Sequence, residues 1–280
     1  MFHFGKFAGT IYIVSQLGKG APELFIGRAR GAADVGIYSR AGGLVEMFNR
    51  LLMKPVLQVC MPYFARTERE TGSIVAAYLN SVALLSAVGW PFLGFLGVVS
   101  YSAIRIVYGS QWIAAVPLAQ VLCLACATEL VFTLSREALL AVGQARRANA
   151  LQFQIVVLQV LGISAVFPFG LMGACIGLAA AALGGAVVSQ WHLHRGIGLR
   201  TGDLVRVCAP SVVLLIGSVG PAALIATALP PDESNYIHWA IWGTGLVAIS
   251  WLAGLRLLRH RLWDELKGLA LRLPGLRKPV

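Results

Sequence analysis

Long apolar segments alternate with short polar connections along most of this chain. Because a helix rises about 1.5 Å per residue, about 20 apolar residues cross the roughly 30 Å hydrocarbon core of a bilayer. Eight segments reach this length: 7–27, 37–63, 74–99, 114–142, 150–168, 171–191, 207–228 and 237–257. The pattern predicts an all-α, multi-pass transmembrane bundle of about eight spanning helices.

Composition supports the same fold class. Hydrophobic residues make up 58% of the 280 residues, charged residues only 12%, and the mean hydropathy is +0.75. A soluble domain of this length needs a far more polar exterior, so a soluble fold is excluded. The last six segments are clean apolar runs, whereas charged residues interrupt the first two.

The Lys and Arg residues of the connections predict an orientation. With the amino terminus in the cytoplasm, fifteen of them fall in cytoplasmic connections and three, Arg28, Arg30 and Arg105, in outer ones. The positive-inside rule therefore places both termini in the cytoplasm.

The net charge of +11 follows from this topology, and no soluble basic module for nucleic acid is present. The tail, 258–280, spaces leucines among basic residues. This spacing predicts an amphipathic helix on the anionic inner leaflet, with a frayed basic tail as the alternative.

Motifs that would indicate a cofactor, a metal or catalysis are weak. Cys123 and Cys126 have the spacing of a redox or metal pair, but they lie in an apolar segment without a partner His or Asp, which favours simple packing. His192 and His194 are expected to be solvated residues at the cytoplasmic end of the sixth span. No phosphate-binding loop, dinucleotide fingerprint or catalytic triad is found, so we predict no catalytic residue, no metal and no cofactor.

The functional signal is the set of ionisable residues at membrane depth, because such residues normally face a bundle interior or water. On a helical wheel at about 100° per residue, Arg40, Glu46, Arg50 and Lys54 of the second span share one stripe about 120° wide. Three basic groups against one acidic group favour an anionic ligand held by Arg forks.

The fourth span repeats this arrangement with Glu129, Thr133, Arg136 and Glu137, and Lys19 and Glu23 add a third pair on the first span. We predict Arg40, Arg50, Lys54 and Arg136 as cavity charges that bind substrate. Glu46 and Glu129 are the candidates for ion coupling. The alternative is internal pairing, Glu46 with Arg50 and Glu129 with Arg136, which would only lock the helices together.

Several short motifs in order resemble one transporter family. They are FIGR at 25–28, GIYSRA at 36–41, MPYFAR at 61–66, VYGSQW at 107–112 and ALLAVG at 138–143. Together they are similar to the C-terminal half of Wzx-type polysaccharide flippases of the multidrug/oligosaccharidyl-lipid/polysaccharide (MOP) exporter superfamily. Arg40 lies inside a matched motif, whereas Arg50, Lys54, Glu129 and Arg136 lie between motifs.

The resemblance implies a six-helix transporter lobe, here 1–192, followed by an additional transmembrane helix pair, 207–257. It implies a flippase of the bacterial inner membrane that moves a lipid-linked oligosaccharide, with an anionic pyrophosphate lipid as substrate, in polysaccharide or lipopolysaccharide biosynthesis. The alternatives are a membrane-embedded enzyme of glycan assembly, such as a polymerase or an acyltransferase, and a non-catalytic scaffold subunit.

Family members pair two such lobes, and this chain begins at Met1 where the second lobe would begin. We therefore expect either a truncated form, which we favour, or a chain that works with a separately encoded first lobe or with a second copy of itself.

Overall fold

Helices make up almost all of the computed structural model, which describes residue 20, residues 22–258 and residues 262–263. Residues 22–30 are mostly helical, and no β-strand occurs in the described ranges. The later helices are α1 Ala32–Phe48, α2 Lys54–Thr71, α3 Val75–Tyr108, α4 Val116–Leu130, α5 Ser135–Ala141, α6 Ala145–Val166, α7 Leu171–Ile197, α8 Thr201–Ala228 and α9 Tyr236–Leu257. A π-helical turn, Asn49–Met53, joins α1 to α2, and 3₁₀ turns at Ser110–Ala115 and Phe167–Phe169 precede α4 and follow α6.

Six helical segments of the described chain have the length and composition to cross a membrane: Val75–Tyr108, Ser110–Ala141, Ala145–Phe169, Leu171–Ile197, Thr201–Ala228 and Tyr236–Leu257. They correspond to the six clean spans of the sequence. The predicted second span is the helical run from α1 through α2, whose charges keep it outside this group. The predicted first span lies mostly, and the predicted tail helix almost entirely, outside the described residues.

Helix α3 organises the packing, because it contacts α4 on one side and the pair α8 and α9 on the other. Ser86 of α3 donates a hydrogen bond to Ser211 of α8 (2.8 Å), and the Trp251 indole of α9 donates to the Ala87 carbonyl (2.9 Å). At the end of α3 the Arg105 guanidinium lies 2.9 Å from Glu233, in the connection between α8 and α9.

The closest helix crossing joins α6 to α7. Gly162 and Gly177 face each other there, and a Cβ on either residue would overlap the carbonyl of the other. Gly173 likewise lies against the Val166 carbonyl. The GxxxG motif at 173–177 therefore brings two helix backbones into contact, as small residues do between membrane helices.

The predicted fourth span, 114–142, is not one continuous helix. Residues 131–134 form turns that separate α4 from α5. The Trp90 indole donates to the Ala127 carbonyl (2.8 Å) and the Tyr78 hydroxyl donates to the Val131 carbonyl (3.2 Å), so two carbonyls at the break accept hydrogen bonds from α3. Because a bilayer core offers no water to free backbone groups, these contacts make the break tolerable at membrane depth.

The prediction of a solvated His192 is wrong. Its side chain is 4% exposed, and its Nε2 lies 2.9 Å from Oε1 of Gln154 on α6. The end of α7 turns back at Leu199, whose carbonyl lies 3.1 Å from Nδ1 of His194. Packing against α6 therefore buries His192, and the sequence pattern did not indicate this contact between helices.

Candidate functional site

Three of the predicted charges form one cluster on the helical run from α1 to α2. Glu46 Oε1 lies 3.0 Å from Arg50 Nε and 3.8 Å from Lys54 Nζ. We call Glu46, Arg50 and Lys54 the charged triad. Its members are exposed, with side-chain exposed fractions of 44%, 69% and 62%. One carboxylate serves two cations, so the charged triad keeps one unit of positive charge.

The π-helical turn changes the angular positions that the ideal helical wheel predicted for these residues. Asn49–Met53 interrupts the α-helical repeat between Glu46 and Lys54, so residues beyond 49 rotate away from their ideal positions. Arg50 and Lys54 nevertheless both reach the same carboxylate. The predicted internal pairing of Glu46 with Arg50 is therefore present, while the positive excess remains.

Arg40 has different neighbours from the triad. Its Cζ lies 5.3 Å from the ring centroid of Tyr108 and 4.8 Å from that of Trp112, and the side chain is half-buried. In the described part of the chain no carboxylate lies within ion-pair distance of Arg40. Arg40 is thus a cation held by two aromatic rings. Both rings come from the VYGSQW motif, which is the part of the sequence that could have indicated this contact.

Glu129 lies near the charged triad but outside it. The Gln159 side chain of α6 lies 3.5 Å from its Oε1, and no cation of the described residues lies within 4 Å. The Cys126 thiol on α4 is within electrostatic range of both Glu46 and Glu129. Cys126 is thus a common neighbour of Glu46 and Glu129, and Gln159 is a neighbour of Glu129 that the sequence did not predict.

Arg136 does not join this group. Its guanidinium lies 3.6 Å from Glu137, which is largely buried, and the predicted pair of Glu129 with Arg136 is not formed. The turns at 131–134 are the physical reason, since they interrupt the α-helical repeat from which this pairing was predicted. Glu137 lies within electrostatic range of Cys60 and Tyr78, between α2 and α3.

Cys123, the other cysteine of the predicted pair, lies apart from these charges. Cys123 is buried in the core between α3, α4 and α7, where it packs among apolar residues. Within the described ranges, no group of three or more His, Cys, Asp or Glu side chains is close enough together to hold a metal ion.

Comparison with known proteins confirms the resemblance that the motifs indicated. Residues 1–117 match the family model described as a polysaccharide biosynthesis protein. The teichuronic acid biosynthesis protein TuaB of Bacillus subtilis is 33% identical over 144 residues, which cover 51% of this chain and 30% of TuaB. The lipopolysaccharide biosynthesis protein WzxC of Escherichia coli is 25% identical over 120 residues, 43% of this chain and 24% of WzxC. The succinoglycan biosynthesis transport protein ExoT of Rhizobium meliloti is 26% identical over 125 residues, 44% of this chain and 24% of ExoT.

A solved structure shares the fold. The lipid II flippase MurJ, in an inward closed conformation, superimposes with a TM-score of 0.68 over 89% of this chain and 53% of MurJ, at 12% sequence identity. This likeness confirms the predicted all-α fold. The matches cover less than a third of each curated relative and about half of MurJ. The names of ExoT and MurJ describe transport. No catalysed reaction appears in the name of any of these four proteins.

Proposed function

We propose that this chain takes part in moving a lipid-linked oligosaccharide across the bacterial inner membrane, as a flippase or as one lobe of a flippase. The substrate is an anionic lipid that carries its sugar on a pyrophosphate. The observation that carries the proposal is the positive excess of the charged triad, exposed on the side of a bundle whose fold is that of a transporter.

The physical argument concerns the cost of charge in lipid. A charged side chain at bilayer depth costs several kcal/mol unless it meets water or a counter-charge. Arg50 and Lys54 share one carboxylate, so one cation remains uncompensated. A water-filled passage next to α1 removes that cost, and a pyrophosphate in the passage supplies the missing negative charge. Arg40 and Arg136 are further cations of the proposed passage.

Two glutamates have separate roles in this proposal. Glu46 is a structural counter-ion, because Arg50 and Lys54 already neutralise it. Among the described residues no cation lies within ion-pair distance of Glu129, so it is the carboxylate that exchanges a proton when the chain couples transport to an ion gradient. The proposed division is a six-helix lobe, 1–192, with a second lobe or a second copy facing it, and an added helix pair, 207–257.

The charged triad gives the direct test of substrate binding. We expect Arg50→Gln combined with Lys54→Gln to reduce photocrosslinking of the purified full chain to a lipid-linked oligosaccharide about tenfold, because both cations are lost. The matched control is Arg66→Gln, which breaks an exposed ion pair with Glu70 on α2 beyond the triad. Equal crosslinking of the double variant and the wild type would show that the triad does not bind the lipid.

We also propose the orientation, with the Arg105 end of α3 outside the cell. The four connections that carry few basic residues meet at that end, where Arg105 pairs with Glu233 and Arg30 lies beside Gly170. The opposite end brings Gln144 to the Gly196 carbonyl. In intact cells an impermeant maleimide should label Ser234→Cys and not Gly202→Cys. Labelling of Gly202→Cys alone would invert the assignment.

A further inference from the structure

Two aromatic side chains fix the position of Arg40. Tyr108 is the last residue of α3 and Trp112 lies in the 3₁₀ turn that follows, so a single chain reversal supplies both rings. Arg40 Cζ lies 5.3 Å and 4.8 Å from the two ring centroids. A guanidinium that rests on aromatic faces keeps the N–H donors in its plane available for a second partner.

Two glycines of α1 bring the rings this close. A Cβ on Gly36 would lie 3.1 Å from the Trp112 ring, and a Cβ on Gly43 would lie 2.6 Å from the Tyr108 hydroxyl. Both distances are too short for an unstrained Cβ contact. Gly36 and Gly43 lie one turn to either side of Arg40. Because neither has a side chain, Trp112 packs directly against the α1 backbone at Gly36 and Tyr108 does so at Gly43.

The surroundings of Arg40 contain no competing anion among the described residues. Asp34 on the same helix forms an ion pair with Arg30 at 2.6 Å. Glu46 forms its ion pair with Arg50, within the charged triad. Burying half of a cation that has no carboxylate partner costs free energy, and an external anion that pairs with the cation offsets this cost. The rings partly offset this cost, because cation–π contacts stabilise a guanidinium without neutralising it.

We propose that Tyr108 and Trp112 are positioning residues that hold the Arg40 guanidinium ready for a phosphate or pyrophosphate oxyanion. This inference rests on the proposed function and deepens it. Arg40 touches the anion, and the two rings act through Arg40 by removing the freedom of its long side chain before the anion arrives. Preorganisation of this kind raises affinity because the ordering cost is met in advance.

The test is a double-mutant cycle on the purified full chain. The probe is a vesicle that contains farnesyl pyrophosphate, with farnesol vesicles as the neutral control. We expect Trp112→Ala to weaken binding of farnesyl pyrophosphate about tenfold, Trp112→Phe to weaken it less, and Arg40→Lys to weaken it about as much as Trp112→Ala. Once Arg40→Lys is present, Trp112→Ala should have little further effect. Tyr108→Phe, which keeps the ring, should bind almost as the wild type does.

The cycle separates positioning from simple structural support, because unfolding would weaken binding in every background and lower the thermal midpoint. If Trp112→Ala weakens binding equally with Arg40 and with Lys at position 40, the rings do not act through Arg40 and the inference is wrong. If the wild type binds farnesyl pyrophosphate no better than farnesol, the proposed function itself fails. Equal competition by inorganic pyrophosphate would also contradict a lipid-linked substrate, while leaving the positioning role of the rings in place.

Discussion

Replacing Gly177 with valine is expected to abolish the crossing of α6 and α7. A Cβ at this position would overlap the Gly162 carbonyl, and backbone atoms cannot move aside as the end of a flexible side chain can. The helices must separate, so they lose the close van der Waals packing that drives association of membrane helices. We expect the free energy of unfolding to fall by about 3 kcal/mol or more. Thermal unfolding of the purified chain in detergent measures this loss.

The control for this prediction lies on the same helix. A Cβ on Gly184 would make ordinary contacts at 3.4 and 3.6 Å with the Leu158 methyl groups. Gly184→Ala should therefore leave the thermal midpoint almost unchanged, since alanine also has the higher helix propensity. A Gly177→Val variant as stable as Gly184→Ala would mean that the two helices do not cross at Gly162.

Most of the helical bundle is predictable because apolar length is the dominant signal in a membrane protein. The runs around 74–99 and 171–191 reappear as α3 and α7, and each helix continues several residues beyond the predicted run. The break at 131–134 was not predictable. Its sequence contains neither proline nor glycine, and the hydrogen bonds that permit it come from Tyr78 and Trp90, which lie about 40 to 50 residues away in sequence.

The candidate site was predictable only within one helix at a time. The helical repeat placed Glu46, Arg50 and Lys54 together because local spacing decides which residues of one helix are neighbours. The same reasoning failed for the pair of Glu129 with Arg136, since the turns at 131–134 interrupt the helical repeat between them. Contacts between helices, such as Arg40 with Trp112 or Glu129 with Gln159, depend on how the helices cross, and no single-helix pattern contains that information.

Replacing Glu129 with glutamine is expected to remove the pH dependence of anion binding. When Glu129 is ionised, its negative charge repels an anionic head group that is bound at the charged triad. Protonation of Glu129 removes this repulsion, so binding of an anionic head group should strengthen as the pH falls. With the charges partly screened by water, we expect roughly a fivefold change.

The Cys126 thiol, on the same helix and also within electrostatic range of Glu46, which pairs with two cations, is the titratable group that the structure places beside Glu129. The neutral Gln159 faces it from α6.

Vesicles that carry a sulfated glycolipid are the appropriate probe, because the charge of the sulfate does not change over the pH range. Glu129→Gln should bind them at every pH as the wild type does in acid. Glu46→Gln, the matched control, should bind more tightly throughout because it frees a cation of the charged triad, and it should keep the pH dependence. If instead Glu46→Gln loses the pH dependence and Glu129→Gln retains it, Glu46 is the proton-exchanging carboxylate and the assignment of the two glutamates is reversed.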